Sequence, residues 1–271
     1  MTHSDKRKQV TTLDLQRMKR SGEKIACLTA YDASFAAALD AANVDVVLVG
    51  DSLGMVLQGK ATTLAVTIEH MLYHAQCVAA GLKHALLMVD MPFMSYATTT
   101  TALQNAALLM KQAGAHILKL EGGAAQVETV KKLTDCGIPV CAHLGLQPQS
   151  VHVMGGYKVQ GRDAKTADIL LNDALVLQQA GASAVVLECI PADLAKHVSE
   201  TLDIPTIGIG AGSDCDGQVL VLYDVLGITR GKLPRFSKNF LTNAITIDDA
   251  LQSYVDDVKS QVFPSDAQSF N

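Results

Sequence analysis

The chain has 271 residues, 49% of them hydrophobic, with 22 Lys and Arg against 27 Asp and Glu and a formal charge of -5. That length suits one well-buried domain. The lack of a basic excess leaves nothing to hold nucleic acid, and 4% aromatics with no Trp offers no base-stacking platform.

In chain order, the charged start Met1-Thr2-His3-Ser4-Asp5-Lys6-Arg7-Lys8 leads into no apolar signal core, which predicts a cytoplasmic protein. No apolar run approaches the roughly 18 residues of a membrane span, so no membrane partner is expected. Six cysteines (27, 77, 136, 141, 189 and 215) form no Cys-x-x-Cys pair and read as reduced thiols. Leu13 to Lys19 predicts a helix that closes one end of the fold. Short apolar runs then alternate with segments of helical period, the pattern of repeated β-α units. Strands are expected at Ile25 to Thr29, Val44 to Val49, Ala85 to Val89, His116 to Leu120, Ile138 to Ala142, Ser183 to Leu187, Thr206 to Ile209 and Gln218 to Leu222. Being apolar throughout, they should be buried on both faces. Helical spacing marks Asn105 to Lys111, Ile169 to Leu177 and a final Asp248 to Val262, whereas Gly210 to Gly217 is too short for a regular helix. Thr98 to Thr101 reads as a helix entry. Gly114, Gly137 and Gly181 recur just before strands, where glycine can end a helix in the left-handed conformation.

The whole predicts an α/β fold, a (β/α)8 barrel, with 1–271 as one catalytic domain, 1–22 as an N-terminal extension and helix, and 241–271 as a C-terminal helix and tail. Two long connections, Leu53 to Thr67 and Gly145 to Ala164, fall at the barrel mouth and read as substrate-covering lids or as plain surface variation.

Ionisable residues stand at five successive strand ends: Asp51, Asp90, Lys119 with Glu121, His143 and Glu188. In a parallel barrel those ends converge on the catalytic mouth. Asp51 and Asp90 on adjacent strands call for a cation, and hard oxygen donors few in number suit Mg²⁺ better than zinc, with Glu121 close enough to bind directly or through water. Either Asp could instead cap a helix. Lys119 and Glu121, two apart on a strand, share a face; the lysine could stabilise an enolate or a carboxylate beside the metal, form a Schiff base, or simply pair with Glu121. Glu188, in aliphatic surroundings, is suited to general acid-base work, unless it caps the helix opened by Pro191. His143 is read either as a participant at the mouth or as a buried histidine with its hydrogen bonds satisfied. Gly208-Ile209-Gly210-Ala211-Gly212 has the composition of a backbone anion cradle after strand seven.

Six ordered motifs carry a resemblance: Val49-Gly50-Asp51-Ser52-Leu53-Gly54-Met55, Asp90-Met91-Pro92-Phe93-Met94-Ser95-Tyr96, Lys119-Leu120-Glu121-Gly122-Gly123, His143-Leu144-Gly145-Leu146-Gln147-Pro148-Gln149-Ser150, Gly155-Gly156-Tyr157-Lys158-Val159-Gln160-Gly161 and Leu187-Glu188-Cys189-Ile190-Pro191. From about Thr29 to Phe240 the chain resembles the 3-methyl-2-oxobutanoate (ketopantoate) hydroxymethyltransferase family. The resemblance implies a barrel of the phosphoenolpyruvate/pyruvate-like type, a Mg²⁺ cofactor, and transfer of a hydroxymethyl group from 5,10-methylenetetrahydrofolate to 3-methyl-2-oxobutanoate, giving 2-dehydropantoate in pantothenate synthesis. It implies Asp51, Asp90 and Glu121 as metal ligands, Asp51, Ser52, Asp90 and Lys119 as oxo-acid contacts, Glu188 as proton acceptor, and a homo-oligomer, decameric in bacterial members. The rival reading is a metal-dependent lyase or aldolase of 2-oxo acids, which needs the same enolate; a degenerate barrel that only binds a metabolite is opposed by the intact carboxylates.

Overall fold

The computed structural model describes residues 7–231 and 233–271; the first six residues of the charged N-terminal stretch lie outside them. Eight parallel strands close into a barrel in sequence order: β1 Ile25–Thr29, β2 Val46–Val49, β3 Leu86–Asp90, β4 Ile117–Glu121, β5 Val140–Gly145, β6 Ala184–Glu188, β7 Thr206–Ile209 and β8 Gly217–Leu220. Val, Ile and Leu dominate these strands because one set of alternate side chains packs under the helices and the other fills the barrel. All eight expected strands exist, β1 and β7 with the expected ends and the other six with shifted ones. β2 begins at Val46 because the Asp45 carboxylate accepts the Ala26 amide at 2.8 Å. β5 begins after Pro139, which has no amide to donate, and runs on to Gly145, so His143 lies inside the strand rather than beyond it. Asp90, Glu121 and Glu188 are likewise the last residues of their strands.

The helices are α1 Thr12–Ser21, α2 Ala33–Ala41, α3 Leu53–Val56, α4 Ile68–Gly81, α5 Thr99–Ala113, α6 Val127–Asp135, α7 Ala164–Gln179, α8 Ala192–Thr201, α9 Leu222–Val225 and α10 Ile247–Lys259. Local chemistry fixes their limits. Thr98 caps α5 by accepting the Thr101 amide, and Asp163 caps α7 through the Thr166 amide. Gly114, Gly137 and Gly181 all take positive φ (70°, 79° and 101°) at the turns into the next strand. The predicted last strand overran, since Leu222 opens the short helix α9.

No helix separates β7 from β8, as their spacing predicted. That seam is stitched instead at the lower rim: the Thr206 amide donates to Asp216 at 2.8 Å, and Lys19 of α1 reaches the same carboxylate at 2.7 Å. α1 thereby braces the lower end of the barrel. Tyr254 of α10 donates to the Cys27 and Gln218 carbonyls and ties the last helix across β1 and β8. All six cysteines are free, and Cys27, Cys141, Cys189 and Cys215 are buried as small apolar groups. Among the described residues no helix is long and apolar enough to cross a membrane.

Candidate active site

Strand register sets the site. Asp90 pairs with Lys119, Glu121 with His143, and Gly145 with Glu188 on neighbouring strands, so residues of one inward-facing set stand side by side around the mouth. Asp51 follows β2 after Gly50, where an added Cβ would lie 2.8 Å from Ser52 Oγ and 3.5 Å from Asp90 Oδ2; glycine leaves that approach open. The Asp51 amide donates to Asp90 Oδ2 at 3.0 Å, and Ser52 shares a 2.8 Å hydrogen bond with the Tyr31 hydroxyl. Gly145, at φ 88°, is also required, because a Cβ there would meet the Glu188 carbonyl at 2.2 Å.

The Lys119 ammonium lies 3.1 Å from Asp90 Oδ1 and 3.1 Å from His143 Nδ1. The lysine pairs across the ladder with Asp90, so the alternative of a structural pair with Glu121 along its own strand is not the contact that forms. Since His143 Nδ1 accepts from that ammonium, the neutral ring carries its proton on Nε2, 3.0 Å from Glu188 Oε2 though off the N–H direction. Asp90, Lys119, His143 and Glu188 thus form a continuous line across three neighbouring strand pairs.

Burial dominates the electrostatics. It pushes Glu188 up to about 7 against the opposing pull of Lys119. Burial, with Asp51 adding to it, raises Asp90 to about 7 despite Lys119. Asp51 is raised and Glu121 raised well above the usual carboxylate range by the same desolvation. For His143, burial and then Lys119 hold the ring well below its ordinary value, so it is neutral at physiological pH. Burial alone would depress the Lys119 ammonium, but Asp90, Glu121 and Asp51 together outweigh it and keep the charge in place.

Two residues without a predicted role organise the carboxylates. Gln149 Nε2 donates to Asp51 Oδ2 at 2.8 Å and to the Met91 carbonyl at 3.0 Å, while its backbone amide donates to Glu121 Oε2 at 2.9 Å. The Tyr96 hydroxyl donates to Gln149 Oε1 and accepts the Glu121 amide. Both residues sit inside the six motifs, yet an uncharged Gln in a proline-containing loop gives no chemical signal until the loop folds over the mouth.

A family model described as ketopantoate hydroxymethyltransferase matches residues 9–266. The chain belongs to the ketopantoate hydroxymethyltransferase family. The 3-methyl-2-oxobutanoate hydroxymethyltransferase of Alkalilimnicola ehrlichii is 58% identical over 264 residues, covering 97% of this chain and 95% of that protein. Among solved structures, 2,3-dimethylmalate lyase, a PEP mutase/isocitrate lyase superfamily member, aligns with a TM-score of 0.58 at 16% identity over 81% of this chain and 84% of the lyase. A phosphonopyruvate hydrolase in complex with oxalate and Mg²⁺ aligns with a TM-score of 0.62 at 12% identity over 82% of this chain and 85% of the hydrolase. At such identities these two report the fold alone, the closed (β/α)8 barrel. Membership of the family makes the protein an enzyme, a hydroxymethyltransferase.

Several alternative readings fall away within this family's barrel. Neither Asp caps a helix: Ser52 precedes α3 without a side-chain cap bond, and Thr98 caps α5. Pro191 stands at the start of α8 with no side-chain cap, so Glu188 is not engaged there. The glycine run after β7 is closely packed. A Cβ at Gly208 would strike Cys215, one at Gly210 would meet Phe270 and Phe236, and one at Gly212 would meet Ala192; these glycines permit close packing. The two long loops do meet, through the Tyr157 hydroxyl at 3.7 Å from Met55 Sδ.

The carboxylates fit a hard divalent cation. Glu121 Oε1 is buried and lacks a hydrogen-bond partner, at a cost of about 1–3 kcal/mol when left unpaired, and Asp90 Oδ1 is met only by the Lys119 ammonium. Four carboxylates also face a single ammonium. Among the described residues no group of three or more His, Cys, Asp or Glu side chains is placed to hold a metal ion by itself. An open shell of one or two carboxylates completed by water and substrate matches a Mg²⁺ site, and not a structural zinc site.

Proposed function

We propose that the protein is a Mg²⁺-dependent 3-methyl-2-oxobutanoate hydroxymethyltransferase that takes its one-carbon unit from 5,10-methylenetetrahydrofolate to form 2-dehydropantoate for pantothenate synthesis. The observation that carries this reading is the line Asp90–Lys119–His143–Glu188, which places a carboxylate base at one end and cation-ready carboxylates at the other. The relatives' name and the Mg²⁺-bound neighbour support it.

Asp51 and Asp90, with Glu121 beside them, would hold the metal, and bound Mg²⁺ would supply the Lewis acidity that makes the C3 proton of the oxo acid removable. Ser52 and Lys119 orient the oxo acid, the ammonium facing its carboxylate and the oxygen on which negative charge develops. Glu188, lifted to about 7, takes the proton from C3. Its raised proton affinity also lets it hold that proton through the bond-forming step. Neutral His143 keeps Lys119 and Glu188 apart in fixed positions without adding charge. Water adds to the methylene carbon of the folate and both its C–N bonds break, so tetrahydrofolate leaves with the two water protons on its nitrogens. C3 then attacks the resulting carbonyl-level carbon, and the proton held on Glu188 passes to its oxygen to give the hydroxyl.

Purified protein with 3-methyl-2-oxobutanoate and Mg²⁺ tests the reading when assayed with and without 5,10-methylenetetrahydrofolate. Ketopantoate should form only with the folate, and a chelator should abolish it. Folate-independent cleavage of larger 2-oxo acids, with no ketopantoate under any condition, would favour a lyase instead.

A further inference from the structure

The cavity at the mouth, about 510 Å³, is far larger than an oxo acid of eight heavy atoms needs and lies in the range of drug-sized ligands. Its chemistry divides. The inner half is the charged cluster already described. The outer half lies beyond β7 and β8 and is lined by Asp224, Thr229, Arg235, Phe236 and Phe270.

This outer wall is built by the chain's last residues. After α10 the tail returns to the mouth, where the Phe270 carbonyl accepts the Ala192 amide at 2.8 Å at the start of α8. Arg235 holds the tail a second time, donating from Nε to the Ala267 carbonyl at 3.2 Å with its guanidinium 5.3 Å from the Phe270 ring centre. Phe270 and Phe236 flank Gly210, whose missing Cβ would come within 2.9 Å and 3.1 Å of them. Both rings are half-buried and line the cavity. Asp224 is buried; its two oxygens accept one hydroxyl each, from Thr229 at 2.6 Å and Ser237 at 3.0 Å. Each carboxylate oxygen can accept two hydrogen bonds, so an acceptor pair remains.

We propose that this outer half is the subsite for the one-carbon carrier, with the pterin ring lying against Phe236 and Phe270 and presenting its 2-amino and N3–H donors to Asp224. The inference rests on the folate-dependent reading above and assigns the part of the cavity that reading leaves empty. A carboxylate is the complement of two adjacent N–H donors, and flat rings held at their edges offer stacking surface without loss of side-chain freedom. Arg235 and Lys158, exposed at the rim of the same cavity, face the carboxylates of the carrier's glutamate.

Calorimetry with tetrahydrofolate, and separately with 3-methyl-2-oxobutanoate and Mg²⁺, on the wild type and on Phe270→Ala, Phe270→Leu and Asp224→Asn tests this. Tetrahydrofolate affinity should fall about tenfold in Phe270→Ala and Asp224→Asn, the loss of one ring-stacking or paired hydrogen-bond contact. Phe270→Leu, which keeps the packing on Gly210 but loses the flat face, should fall similarly, and oxo-acid affinity should stay within about twofold. Unchanged tetrahydrofolate affinity in the variants, or an equal loss for both ligands, overturns the subsite. Absence of tetrahydrofolate binding by the wild type would instead refute the folate-dependent function itself.

Discussion

Replacing Glu188 by Gln should stabilise the metal-free protein, and more so as pH rises. The carboxyl's folded value of about 7 lies above its ordinary 4.5, so the folded protein binds this proton more tightly than the unfolded chain. The group therefore costs nothing below pH 4.5. Its penalty accumulates between 4.5 and 7 and is complete above 7. Each pH unit between the two values is worth about 1.36 kcal/mol, which gives a full penalty on the order of 3 kcal/mol. The side chain is only 13% exposed, so solvent screening removes little of this. Gln keeps the shape and leaves a carboxamide oxygen facing His143. For a chain of this length the gain is roughly 6 °C in Tm at pH 8, and much less near pH 5. Differential scanning calorimetry of the metal-free protein at the two pH values measures it. The same substitution should abolish deuterium exchange at C3 of 3-methyl-2-oxobutanoate, which in the wild type should rise with pH through about 7 as the base ionises. A Tm difference that does not grow with pH, or exchange at the wild-type rate, would refute the reasoning and move the base elsewhere.

Asp90→Asn should weaken Mg²⁺ binding in calorimetry while leaving the barrel folded, because the amide still accepts the Asp51 amide proton but no longer offers an anion to the metal; unchanged Mg²⁺ affinity would count against Asp90 as a ligand. Gln149→Leu removes the donor that fixes Asp51 and leaves the Tyr96 hydroxyl proton without its acceptor, so Mg²⁺ affinity should fall by about 10–100-fold, as for other residues that orient metal ligands. Gln149→Glu, which keeps the size but replaces a donor by a second anion against Asp51, should not restore it.

Much of this was legible because barrel strands are nearly uniform in composition. When every neighbour in Val46–Val49 or Ala184–Glu188 is aliphatic, a terminal carboxylate stands out, and closure in sequence order then decides which of them meet. What was not legible came from contacts between segments remote in the chain. A shared face made Glu121 one alternative partner for Lys119, but the ladder puts Asp90 directly opposite it, and a neighbour across the ladder outcompetes one two residues away along the strand. Gln149 acts through a loop whose path only the closed mouth defines. Phe270 reaches the mouth because α10 docks across β1 and β8 and turns the tail upward, and no local pattern in Ser265 to Asn271 encodes that docking.

The same register explains how so many ionisable groups are tolerated inside the barrel. Because side chains alternate, a slip of one residue in β4 would send Lys119 and Glu121 into the layer beneath the helices and bring Leu118 and Leu120 to the mouth. Lys119 would then be a buried ammonium without Asp90 or His143, and breaking a buried pair in this way costs about 3–5 kcal/mol. The charged line therefore penalises misregistered β3–β4 and β4–β5 pairings more heavily than the interchangeable aliphatics around it could. At the next joint Gly145 acts by what it lacks. Any side chain there would collide with the Glu188 carbonyl, so the base can occupy the end of β6 only because β5 ends in glycine. Alignment of the strands and assembly of the base, ammonium and carboxylates are thus a single requirement on the sequence.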